Sequence, residues 1–181
     1  MAGDSLRQLF PPVPALPRAA HAEAVNTGPE TPEDGDMTEH EHSYKVNVAD
    51  FAADQNLASN DGWVNMAVQF LVDHTHGGAR QVVFGRTVFA PGQSVHELHR
   101  HPGAEEVVYL VRGSGVATNG DEEIVLQVGG IAFHPQGEWH GFYNTSATEE
   151  AEMIWVWAGA ASKDDAGYEV KDGAALGHSH E

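Results

Sequence analysis

The feature that most constrains this chain is a series of short β-forming segments between residues 63 and 158, each closed by a turn signal. Residues 63–72 and 81–90 are rich in β-branched and aromatic side chains. Shorter segments follow at 94–101, 106–111, 114–118, 122–127, 131–133, 140–143 and 151–158. Between them stand Pro91-Gly92, Pro102-Gly103, Arg112-Gly113, Asn119-Gly120, Gly129-Gly130 and the polar run 144–148. Asn119-Gly120 has the chemistry of a two-residue hairpin turn, because both residues tolerate positive φ. Many short strands at close spacing can bury their apolar faces only by closing on one another, so an all-β sandwich or barrel is expected. The only helix candidate is 48–57, and no internal repeat is present.

The ends differ from this middle. Four prolines lie between Phe10 and Pro17, and residues 30–36 are acidic and rich in Gly and Pro. Such a stretch buries too little apolar surface to offset its ordering entropy. Residues 1–42 are therefore expected to be a disordered extension, 43–161 the β domain and 162–181 a flexible tail, with Met37 an alternative start. The 181 residues suit one domain. There are no cysteines, so disulfides, thiolate metal sites and thiol nucleophiles are excluded. The formal charge of −18 opposes nucleic acid and anionic membrane as partners. No apolar run approaches the ~18 residues of a membrane span, and no secretory signal is legible. The expected compartment is the cytoplasm.

Twelve histidines point to chemistry. Four His-x-His triplets occur: His40/His42, His74/His76, His99/His101 and His178/His180. The first and last lie in the polar ends, and His74/His76 precedes Gly77-Gly78 in an expected exposed loop. His99/His101 differs, because it ends a strand segment, where period-2 geometry points both imidazoles to one face. Pro102-Gly103 then turns the chain, and the next strand begins with two carboxylates, Glu105 and Glu106. Facing side chains on adjacent antiparallel strands stand about 5 Å apart, close enough for two imidazoles and a carboxylate to share one ion. Periodicity alone does not choose between Glu105 and Glu106.

Gly92-(x6)-His99-x-His101-(x4)-Glu106-(x6)-Gly113 resembles the first motif of the cupin family, with one extra residue between the leading glycine and the first histidine. Gly129-(x5)-Pro135-x-Gly137-(x2)-His140-(x3)-Asn144 resembles the second motif at every position. The resemblance implies a single-domain jelly-roll β-barrel, selects Glu106 over Glu105, and adds His140 as the third imidazole. It implies one divalent ion on His99, His101, Glu106 and His140. Iron, manganese, nickel, cobalt and zinc all suit such donors. The motif glycines and Pro135 read as turn-formers, and Asn144 as a turn residue rather than a ligand.

Other residues carry alternative readings. Glu97, in phase with His99 and His101, is the candidate acid/base group, or else a solvated residue at the rim. His96 is out of phase with His99 and should face away from the ion. Phe142, in phase with His140, should point inward, and an inward Arg86 would suit a carboxylate-bearing substrate; these two are the candidate pocket residues, with an outward surface position the other reading of Arg86. Trp155 and Trp157 share a face and read as packing. Three imidazoles and a carboxylate leave a divalent ion near +1 with two positions open. The leading expectation is a metal-dependent dioxygenase for a small enol, phenol or dicarbonyl. The alternatives are a non-oxidative isomerase, lyase or decarboxylase with the metal as Lewis acid, or a non-catalytic ligand-binding module. Expected partners are a small substrate, dioxygen and a second copy in a homodimer, paired through 63–72.

Overall fold

Alternation of apolar and polar residues gives each strand one buried face, and two sheets bury those faces against each other. In a computed structural model, which describes residues 43–119 and 122–171, both sheets are antiparallel. One places β1 (Trp63–Val64), β4 (Val95–Arg100), β9 (His140–Asn144), β6 (Ser114–Asn119) and β7 (Glu122–Gln127) side by side, with β11 (Glu169–Val170) also paired to β4. The other orders β2 (Met66–Val72), β3 (Val82–Phe89), β10 (Ala151–Ala158), β5 (Glu105–Arg112) and β8 (Ile131–His134). This is the jelly-roll arrangement expected from the sequence.

Alternation is strict on β10, where Ala151, Met153, Trp155 and Trp157 are buried and their neighbours are not. On β3 the matching inward positions are Val83, Gly85, Thr87 and Phe89. Any Cβ at Gly85 would collide with the Trp155 indole. That indole donates to Thr87 Oγ1 at 2.9 Å, which satisfies its buried N–H. Both tryptophans pack, as expected. Gly113 joins β5 to β6 at φ +76°, and a Cβ there would strike the Glu150 carbonyl. Only glycine fits both constraints.

Four expectations are corrected. Residues 63–72 do not form one strand. Asn65, at φ 51°, breaks the run and sends β1 and β2 into different sheets; asparagine tolerates this left-handed backbone better than most residues. Residues 48–57 do not form a helix beyond the single 3-10 turn Val48–Asp50. Gln69 Nε2 donates to the carbonyls of Val48 at 3.2 Å and Phe51 at 2.6 Å, and Asp54 N–H donates to Val68 O at 2.8 Å. Beyond that turn, the segment's polar backbone is thus partly satisfied by β2. Residues 162–171 are not a featureless tail: they hold α1 (Lys163–Ala166) and β11. Residues 1–42, with His40 and His42, lie outside the described residues, as do 172–181 with His178 and His180. Asn119 is not a turn residue as expected: it ends β6 and pairs with Glu122, and residues 120–121 between them lie outside the described residues. Among the described residues no helix is long and apolar enough to cross a membrane.

Asn144, the last residue of the second motif, clamps the loop after β9. Its side-chain amide donates to the carbonyls of Phe89, Ala90 and Glu149 at 2.8–3.2 Å, and its Oδ1 accepts from Ser146 N–H at 2.9 Å. Asn144→Ala would strand several buried polar groups. It is expected to lower unfolding stability by about 3 kcal/mol, measured by urea denaturation.

Candidate metal centre

Four side chains that could hold an ion meet inside the barrel. His99 is the penultimate residue of β4, His101 follows that strand, Glu106 is near the start of β5, and His140 opens β9. One ligand atom from each lies within 4.8 Å of the others, and all four residues are buried. This is the one such cluster of three or more among the described residues. Glu105 points outward and is exposed, so the strand phase, as well as the motif, selects Glu106.

Each imidazole is held by its far nitrogen. His99 Nδ1 donates to Glu97 O at 2.7 Å, His101 Nδ1 to Gly167 O at 2.7 Å, and His140 Nδ1 to Glu138 O at 2.8 Å. A carbonyl can only accept, so Nδ1 carries a proton in all three, and Nε2 is the atom left to face an ion. Nε2 of His99 and Nε2 of His101 are buried with no hydrogen-bond partner. His140 Nε2 lies 2.8 Å from Glu106 Oε2, and His101 Nε2 lies 3.4 Å from the same oxygen. Buried polar atoms are rarely left unsatisfied. Convergent nitrogen lone pairs beside one carboxylate are the donor set a divalent cation takes.

The electrostatics agree. Burial would raise the Glu106 carboxyl, but the adjacent His101 and His140 overcome it and hold the group well below the usual carboxylate range. Burial opposes a charge on His140, yet its hydrogen bond to Glu106 raises it. The buried anion thus draws a proton onto His140, the role a bound cation would take over. His99, by contrast, is pushed well below its ordinary value by burial.

A cavity of about 20 Å3 adjoins His99, Glu106 and His140, room for one or two water-sized groups. Val108, Ala117, Phe142 and Met153 form its apolar wall, and His96 and His134 add two imidazoles. Phe142 is 4% exposed and lines this cavity beside His140. His96 also faces it, which corrects the expected outward orientation. The pairing of β4 with β9 contains a bulge: His96 faces Phe142 and His99 faces His140, three residues against two. A bulge shifts strand phase by one residue, and this one falls in the stretch where the first motif carries its extra residue. The His96 ring stacks on His99 at 3.8 Å and lies 4.2 Å from Trp63. Burial pushes its pKa down to about 3, and that of His134 down to about 4.

The bulge also corrects the expectation for Glu97, which does not line the cavity. It supports the site through its main chain, by the carbonyl that orients His99 and an N–H that donates to Gly62 O at 2.9 Å. Arg86 is likewise removed from the pocket. It sits on the outer face of β3, where it pairs with Glu152 at 2.6 Å and donates to Gln69 Oε1 at 2.8 Å. That contact holds the Glu152 carboxyl below its usual range.

Sequence reasoning missed His134, Tyr168 and the segment that carries Tyr168. Extending the 131–133 strand by one residue would have found His134, in phase with Ala132 and opposite Glu106. Nothing local marks Tyr168. Residues 162–171 form a strap across the site. Gly103 N–H donates to Ala166 O at 2.8 Å, Gly167 O holds His101, and β11 pairs with β4 beside His99. The Tyr168 hydroxyl donates to Asp61 O at 3.1 Å and lies 3.2 Å from His96 Nε2, which therefore donates to it. A Cβ at Gly103 would collide with the Asp165 carbonyl. Gly103→Ala is therefore expected to push the strap away and loosen His101. Metal affinity should fall about tenfold, the scale of lost outer-sphere support, as read by competition with a chelator.

Comparison with known proteins locates these features. The family model described as "Cupin domain" matches residues 85–157. The "Oxalate-binding protein" of Thermotoga maritima is 33% identical over 94 residues, covering 52% of this chain and 75% of that protein. Two solved structures share the fold. The polyketide cyclase RemF from Streptomyces resistomycificus has a TM-score of 0.56 and 22% identity, covering 65% of this chain and 80% of that one. An oxalate oxidase has a TM-score of 0.57 and 20% identity, with coverages of 74% and 67%.

Proposed function

Because this chain belongs to the cupin family, we propose that it is a divalent-metal-dependent enzyme whose substrate is a small chelating dicarbonyl, of about the size of oxalate. The carrying observation is the set of three imidazoles with Nδ1–H fixed on backbone carbonyls and Nε2 turned toward Glu106. His99, His101, Glu106 and His140 would hold the ion. When bound, it supplies Lewis-acid polarisation of a chelating substrate and, if redox-active, access to dioxygen. Glu106 offsets one of its charges. Val108, Ala117, Phe142 and Met153 exclude bulk water and bound the ligand's size. The relative named for oxalate binding favours a dicarbonyl over the phenols also expected from sequence.

The reaction we assign is dioxygen-dependent cleavage of the substrate C–C bond. The non-oxidative alternative gains from the position of His96 and His134, imidazoles that face the cavity where Glu97 does not. Anaerobic reconstitution with iron, manganese, cobalt, nickel and zinc in turn, followed by oxygen-uptake and product assays on oxalate and small dicarbonyls, separates these readings. Uptake coupled to product supports the dioxygenase, and product without uptake moves the assignment to Lewis-acid chemistry. No consumption with any metal leaves a ligand-binding module. A homodimer belongs to the same reading, since β2 is the edge strand of its sheet. Sedimentation at micromolar concentration should give twice the chain mass, and a monomer mass would remove this part.

A further inference from the structure

The metal donors leave one buried polar group in the cavity without a function. His134 ends β8 directly opposite Glu106 and is 3% exposed. Its ring stacks on His140 at 4.2 Å, nearly parallel at 10°. Its Nδ1 is buried and has no hydrogen-bond partner. The nearest carboxylate oxygen, on Glu138, is 3.9 Å away, beyond hydrogen-bond range. Glu138 is served elsewhere: in the orientation that satisfies both groups, the Asn119 amide donates to it at 2.7 Å. The second lining imidazole outside the donor set, His96, already spends Nε2 on Tyr168. Every other lining side chain outside the donor set is apolar.

We propose that His134 is a specificity-determining residue that hydrogen-bonds an oxygen of the small oxyanion bound in this cavity. The proposal rests on the ligand class assigned above. A neutral imidazole offers one N–H donor and one lone pair. A ligand that chelates an ion through two oxygens and carries further oxygens needs such a partner in the cavity wall. Without it, those oxygens would meet only Val108, Ala117, Phe142 and Met153, a desolvation without compensation. A site with a committed hydrogen-bonding group discriminates strongly against ligands that cannot use it.

The competing role for His134 is to support His140 by stacking alone. Two variants separate the roles. His134→Phe keeps an aromatic ring against His140 and removes both nitrogens, whereas His134→Gln keeps hydrogen-bonding capacity and removes the ring. Each full-length protein is loaded with zinc, which is redox-silent. Metal content is measured, and oxalate binding is followed by calorimetry with acetate as the monocarboxylate control. The expected result is that His134→Phe retains one zinc per chain but binds oxalate at least about tenfold more weakly, while His134→Gln stays within about threefold. Oxalate affinity unchanged in His134→Phe, or weakened only in His134→Gln, overturns the proposal and leaves the ligand class standing. If wild-type zinc protein binds no oxalate, the ligand class fails and the proposal fails with it. Should His134→Phe not retain zinc, the wild type decides. The side-chain 15N resonances of His134 must shift on oxalate addition, and fixed resonances overturn the proposal.

Discussion

Glu106→Gln is expected to strip this protein of its metal. Glu106 is the only anion among the four converging donors, and the other three are imidazoles, which take an ion on a neutral nitrogen. An amide oxygen is a weaker donor than a carboxylate, and it leaves the full charge of the ion inside a buried cavity. Loss of outer-sphere support costs about 10–100-fold in metal affinity, so loss of the anionic donor itself should exceed about 100-fold. The check is elemental analysis after gel filtration, with competition against a chelator. Glu105→Gln is the control, because Glu105 is the exposed neighbour; its metal content should not change. Full occupancy in Glu106→Gln would exclude the site as drawn.

The second large effect is acid sensitivity of the metal-free protein. His134 and His96 are held by burial at about 4 and about 3, below the 6.5 of an unfolded histidine. Between those values the unfolded chain binds protons that the folded chain refuses, so stability falls as pH falls from about 6.5 toward 4. A drop from 6.5 to about 4 corresponds to roughly 3 kcal/mol for His134 alone. Glu106, held below its usual range, extends the loss to lower pH as it protonates. His140 has the opposite sign: its raised pKa contributes stability below about 6.5 that is lost as pH rises through the folded value. Urea midpoints of metal-free protein should therefore drop steeply between pH 6.5 and 4. A midpoint that is flat across that window would mean these imidazoles are not held neutral. Metal-loaded protein should drop more steeply still, because protons compete with the ion for the same nitrogens.

How much of this was legible beforehand varies residue by residue. The strands at 122–127 and 151–158 match β7 and β10 at both ends. The four donors were named by motif spacing, and the structure brings them together. Their carbonyl partners were not named, because Gly167 lies 66 residues from His101 and no pattern in the chain links them. Glu97, His96 and Arg86 were assigned by strand phase. For the first two, phase failed at a single point, the bulge between His96 and His99. The extra residue in the first motif was visible, but the register of pairing with β9 determines where such a residue is absorbed. Arg86 was ambiguous because either face of an alternating strand can be the inner one; pairing with β10 placed it outside with Glu152.

The sequence by itself determined an all-β chain, the turns that close its strands and the His99/His101 pair, and its resemblance to the cupin motifs added Glu106 and His140, since each depends on neighbours within a few tens of residues. Tertiary structure alone decided which residues face the cavity, how small it is, and that residues 162–171 return to orient His101. Those properties depend on register and on contacts between distant segments. In a fold of period-2 strands, one inserted residue reverses what faces inward, and nothing within the strand reports it.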